Sequence, residues 1–264
     1  MAYKTEQAAH FAEQYPPIRN RLEWLNAELL AELAPTLKVE KAREYLQHGV
    51  CRRVKTIRRC LVNVFTIYPP ERTAPLPSDD VSDVMINLQA FIANVYGVFD
   101  NVAWVYILEQ RRERIGRQAI GLFDRRTQEH LSTRMREYLG EERMQAWFAD
   151  YSKNFRDALG HRIPPYVPPF MTTPEESKRW AELDAQILPA IREHRFDDME
   201  RIQAERDAIG KAAPVFRHSF SDADGERAVI LHPQMLTDAM TITELLETVK
   251  DDVKANGWGK PLAD

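Results

Sequence analysis

The run Met85–Leu108, MINLQAFIANVYGVFDNVAWVYIL, constrains this chain more than any other stretch. It is apolar almost all the way round a helix, which is the pattern of a helix buried at the centre of an α-helical domain. Its length also suits a membrane span. Asn87, Gln89, Asn94, Asp100 and Asn101 argue against that, because each is costly in lipid. Inside a protein, Asp100 still requires a hydrogen-bonding or cationic partner.

The rest of the chain reads as helices around this one. Leu22, Leu25, Leu29 and Leu33 recur at helical spacing and predict a first helix over Thr5–Leu33, bent at Pro16-Pro17. A second is predicted over Val39–Ile67. The segment Tyr68–Asp80 holds four prolines and reads as a loop, with Ser78, Asp79 or Asp80 as the cap of the central helix. That helix is expected to continue as a charged tail to Arg114. Helices are predicted at Thr127–Leu139 and Glu141–Leu159, separated by Gly140, with Gly160 closing the second in a left-handed cap. His161–Phe170, again with four prolines, is extended, and its Tyr166 and Phe170 form either a partner-binding strip or a loop packed on its own domain. Thr173-Pro174-Glu175-Glu176 starts a helix reaching His194, and a shorter one covers Asp197–Ile209. Val215–Phe220 and Arg227–His232 read as strands joined at Asp224-Gly225, before a last helix over Pro233–Ala255. The predicted fold is mostly α, a helical bundle around a long buried helix with a small C-terminal β-hairpin, in one domain of 264 residues.

The net charge of −4 argues against a chain that is basic overall, but the charge is uneven. Lys38–Arg59 holds eight Lys/Arg against two carboxylates, and Arg111–Arg136 holds eight Arg against three. These are solvated helix faces or phosphate-binding surfaces, since arginine's planar fork suits phosphate. The polar N-terminus, without an apolar leader, points to a cytoplasmic protein off the membrane. Cys51 and Cys60 are nine apart on one predicted helix, on opposite faces, so they do not pair with each other and carry no zinc spacing. His194, His218 and His232 lack metal-ligand spacing and read as surface or locally bonded side chains. Trp24, Trp104, Trp147, Trp180 and Trp258 read as core or interface anchors. No phosphate-binding glycine loop, dinucleotide fingerprint, zinc-protease motif or serine-hydrolase elbow is present, and no cofactor or metal is expected.

What remains is NFRDALGHRIPPYVPP, beginning at Asn154. Arg156, Asp157 and His161 give an R-x4-H spacing. The same spacing occurs at Arg43/His48 and Arg125/His130, but only at the third pair is Arg followed by Asp, and only there does a glycine-proline break follow a predicted helix. The motif resembles the RNA-cleaving motif of HEPN domains, over roughly Ser82–His161. The resemblance implies a small helical bundle, a metal-independent endoribonuclease of a toxin–antitoxin or defence system, RNA as substrate, a homodimer and an antitoxin-type protein partner. It also implies catalytic roles for Arg156 and His161, with Asp100 or Asn101 on the central helix supporting them and Asp157 beside the pair.

The chemistry is coherent. Cleavage without metal needs a base for the 2′-hydroxyl proton, an acid for the leaving oxygen and a cation for the pentavalent phosphate. One imidazole does not serve as base and acid at once, so two chains joining their motifs in one cleft is the natural solution. The alternative is a non-catalytic interaction or scaffold protein of the same fold. There Arg156 neutralises Asp100 in the core and His161 bonds a carbonyl of the proline loop.

Overall fold

A computed structural model describes residues 2–112, 115–218 and 228–259. The long apolar run forms α4 (Ser78–Glu109), and its Val84, Leu88, Phe91, Val98, Val102 and Ile107 are fully or almost fully buried. Although it is long and apolar enough to cross a membrane, two thirds of its most apolar window is buried inside the protein, as for the core helix of a soluble fold. Around it lie α1 (Thr5–Glu28), α2 (Glu40–Glu44), α3 (Cys51–Ile67), and the short helices α5 (Arg125–Gln128), α6 (Thr133–Gly140), α7 (Glu142–Ala146) and α8 (Lys153–His161). An arm of α9 (Pro174–Arg192) and α10 (Phe196–Asp207) follows, and α11 (Leu231–Asn256) closes the chain.

The fold is mostly α, as the apolar periodicity predicts. α3 packs along α4, α1 packs on α3, and α11 returns from the far end of the chain against α1, α3 and α4. Arg21 ties α1 to α11 through Glu247 at 2.6 Å, and Lys250 of α11 reaches Glu28. One core therefore runs from Leu22 to Trp258, and the segment Ser82–His161 shares it with both ends of the chain. The strands β1 (Val215–Phe216) and β2 (Val229–Ile230) pair antiparallel with Val215 opposite Ile230.

Several local expectations are corrected. The charged tail is not helical over its described residues 110–112: α4 ends at Glu109, Arg111 has φ 54°, and Arg112 N–H returns to Ile107 O at 2.9 Å. Such a closure normally uses glycine. Ser78, Asp79 and Asp80 lie inside the first turn of α4, where their acidity suits the helix dipole; the cap position is Pro77. The helix predicted over Thr127–Leu139 is two, because Asp124 accepts from Arg126 N–H to start α5 and Ser132 accepts from Met135 N–H to start α6.

Gly160 is not a left-handed cap. α8 runs through it to His161 and ends at Arg162. Leu231 and His232 open α11 instead of continuing a strand. The turn at Asp224-Gly225 and Phe220 and Arg227 lie outside the described residues. The Thr173–Glu176 capping box is present, with both reciprocal bonds formed. The proline segment packs on its own protein: Tyr166 pairs by backbone with Arg217, and Phe170 lies against Trp180. Both thiols are buried and free. Trp24 is no core anchor, being 68% exposed, whereas Trp258 is buried and donates to Thr36.

Among the described residues three stretches of helix widen into π turns, at Leu29–Leu33, Tyr45–Val50 and Trp147–Ser152. The last two carry side chains into the clefts described below. His232, at the start of α11, is wholly buried. Its Nε2 donates to Tyr68 O at 2.6 Å and its Nδ1 accepts from the Tyr3 hydroxyl at 3.0 Å, since a carbonyl can only accept.

Candidate functional site

The sequence places five residues at the site; Arg156, Asp157 and His161 lie on α8, and the two on the central helix, Asp100 and Asn101, fall on adjacent faces of α4. Tyr96, Asp100 and Trp104, spaced four apart, form one stripe; Asn94, Gly97 and Asn101 form the next.

The first stripe opens into a cleft of about 510 Å³ between α4, the turn at 118–124 and the start of α8. Its walls are aromatic. Phe123 and Phe148 stack 3.8 Å apart at 13°, and Tyr96 stacks on Phe148. The π turn Trp147–Ser152 holds Phe148 in this position. Lys153 and Arg156 of α8 supply the cations. Arg156 lies over the Tyr96 ring at 5.0 Å and donates to Asp157 at 2.8 Å. Asp157 thus holds one arm of the guanidinium while the other faces of the fork stay exposed.

Asp100 faces this cleft but makes no hydrogen bond or ion pair among the described residues. Burial pushes its carboxyl above the usual range, against the opposing pull of Arg156 and, more weakly, Arg53. The two charges therefore feel each other across the cleft without closing into a pair. Carboxyls raised in this way concentrate at functional sites.

Asn101 is not part of that group. Its Oδ1 accepts from Arg53 Nε at 2.7 Å, and Asn94 Oδ1 accepts from Arg53 Nη1 at 3.1 Å. Arg53 of α3 escaped the sequence reading. Its signal was there: Asn94, Gly97 and Asn101 break an otherwise apolar helix at spacings of three and four, on one face.

His161 is exposed at the end of α8 and lines neither cleft. Because α8 is continuous, Arg156 and His161 project about 140° apart and ~7.5 Å apart along the axis. One chain brings together Arg156, Asp157 and Asp100, and leaves His161 turned away. His218 is buried against Phe155, and His194 is exposed. Among the described residues no three His, Cys, Asp or Glu side chains cluster as metal ligands. The chain matches no family model, no curated protein and no solved structure.

Proposed function

We propose that the chain is a HEPN-like RNA-binding protein of the cytoplasm that cleaves RNA without metal as a homodimer. The observation that carries this reading is the cleft at Arg156. An exposed guanidinium stands over a ring at the mouth of an aromatic-walled cleft, with a second cation and a carboxyl of raised proton affinity beside it. Stacked rings accept any base, and arginine and lysine accept the phosphates.

Two chains are required because His161 diverges from Arg156 on one helix. In a dimer that joins the exposed ends of two α8 helices, one His161 takes the 2′-hydroxyl proton. The 2′-oxygen attacks phosphorus, Arg156 stabilises the added negative charge, and the P–O5′ bond breaks. The His161 imidazolium of the second chain protonates the leaving oxygen. The products are a 2′,3′-cyclic phosphate and a 5′-hydroxyl.

The test is cleavage of a single-stranded RNA in excess chelator. The parent cuts to cyclic-phosphate ends, and Arg156→Ala and His161→Ala each lower the rate by at least a hundredfold. An inert parent, or cleavage that survives both substitutions, defeats the enzyme reading. One observation favours the non-catalytic scaffold instead: Arg156 already has a carboxylate partner in Asp157. On that reading RNA is neither cut nor bound, and Arg156→Ala alters only stability.

A further inference from the structure

The second stripe of α4 opens on a separate pocket of about 440 Å³, between the π turn Tyr45–Val50 and α4. We infer that this pocket binds a phosphate group, with Arg53 as its principal ligand and Arg52 and His48 at its rim.

Arg53 is held in a fixed orientation. Its guanidinium lies against Gly97, where a Cβ would stand 2.4 Å from Cζ. Two of its five N–H donors bond to amide oxygens of Asn101 and Asn94. Asn94 is itself oriented, since its Nδ2 donates to Ala90 O at 2.7 Å. Both partners are neutral. They fix the plane of the fork and leave its charge uncompensated, in a half-buried position where a charge ordinarily takes a counter-ion. No carboxylate lies within ion-pair distance of Arg53 among the described residues. Asp100 feels Arg53 only from the neighbouring stripe, and it faces the other cleft.

The rest of the pocket agrees. Of the other basic side chains here, Lys41 is taken by Glu44 at 2.7 Å, while Arg52 and His48 are exposed and their side chains make no hydrogen bond or ion pair among the described residues. The π turn carries His48 and Gly49 to the pocket, and π turns are concentrated at functional sites. Gly49 admits Asn101, whose Cγ would be 2.9 Å from any Cβ there. A planar, pre-oriented and partly desolvated guanidinium with three donors to spare is suited to two oxygens of one phosphate. Tyr45 also lines the pocket, its ring stacked on Trp104 at 5.4 Å and covered by the Lys41 ammonium at 5.7 Å. The phosphate belongs either to a free nucleotide or to an RNA backbone.

The experiment is calorimetric titration of the full chain with pyrophosphate, uridine 5′-monophosphate and a short uridine oligonucleotide. The parent binds at least one of them saturably. A free mononucleotide whose binding Asn101→Asp weakens identifies a small-molecule site; binding of the oligonucleotide alone, weakened by Asn101→Asp, identifies a strand contact at this pocket rather than at the Arg156 cleft. Asn101→Asp keeps the acceptor on Arg53 Nε and adds the missing negative charge, so it lowers affinity at least tenfold without lowering the melting temperature. Arg52→Ala, at an exposed residue, lowers affinity severalfold. Saturable binding of none of the three probes, or Asn101→Asp binding as tightly as the parent, overturns the assignment. These outcomes do not depend on RNA cleavage, so this site and the Arg156 cleft fail or stand separately.

Discussion

Asp238 should give this protein an unusual response to acid, and Asp238→Asn isolates it. The residue sits on α11, 1% exposed. Its carboxylate accepts from Trp147 Nε1, Tyr151 OH and Gln234 Nε2, each at 2.8 Å, and meets no cation within ion-pair distance among the described residues. Burial raises its pKa from 3.8 to about 6, although the three donors pull the other way. The folded chain therefore holds a proton there that the unfolded chain has released, between about 6 and 3.8.

Asp238 thus favours the folded state increasingly as pH falls through that window, by roughly 3 kcal/mol at ~1.4 kcal/mol per tenfold change in proton affinity. His232 does the reverse. Burial holds its pKa at about 4, so the unfolded chain gains a proton below 6.5 that the folded chain refuses, which removes roughly 3 kcal/mol over nearly the same range. In the parent the two nearly cancel.

The assay is urea denaturation of parent and Asp238→Asn from about pH 7.5 down to about pH 4. Asparagine keeps an acceptor for the donors and carries no charge. The variant should lose ~3 kcal/mol relative to the parent across the range, because the Asp238 gain that offset the His232 loss is gone. A difference between the two proteins that does not change with pH, or one that moves the other way, refutes the reasoning and means that the three donors stabilise the carboxylate fully.

Two further substitutions probe how the central helix is tied to its neighbours. Gly97→Ala replaces a poor helix former, yet it should destabilise by about 1 kcal/mol in thermal melts, because displacing Arg53 from both asparagines outweighs the propensity gain. Glu109, 9% exposed, accepts from the N–H groups of Lys38 and Val39 at 2.9 Å each, so Glu109→Ala should cost ~2 kcal/mol and Glu109→Gln about half of that.

What was legible in the sequence was whatever depends on local pattern. Leu22, Leu25, Leu29 and Leu33 are all buried as their spacing requires, and the Thr173 cap forms because its partner is three residues away. Helix ends set by tertiary contact were not legible. α4 stops before Arg111 with no glycine to mark the stop, and α8 continues through a glycine that looks like one. Gly160 has no need of a left-handed conformation there, and nothing crowds it. β2 ends before its apolar run does because Leu231 and His232 are buried in the core as the first turn of α11.

The candidate site was legible in part. Asp100 and Arg156 do share a cleft, but Asn101 goes to Arg53, which is 48 residues away and invisible to any local rule. Asp238 was missed for the same reason: Trp147 and Tyr151, two of its three donors, come from a π turn distant in sequence.

The proposed joining of two chains is tested most directly by chemical capture at His161. Cys51 and Cys60 are buried, with thiols pushed up to about 12 and about 11, so they react poorly. A His161→Cys chain therefore carries one accessible thiol, at the exposed end of α8. Treated with a short bismaleimide, it should yield covalent dimer at low protein concentration, and a cysteine placed at exposed Leu188 of the α9–α10 arm should not. If His161→Cys stays monomeric while remaining fully labelled by a single-ended maleimide, the two motifs do not meet and the dimeric site is wrong.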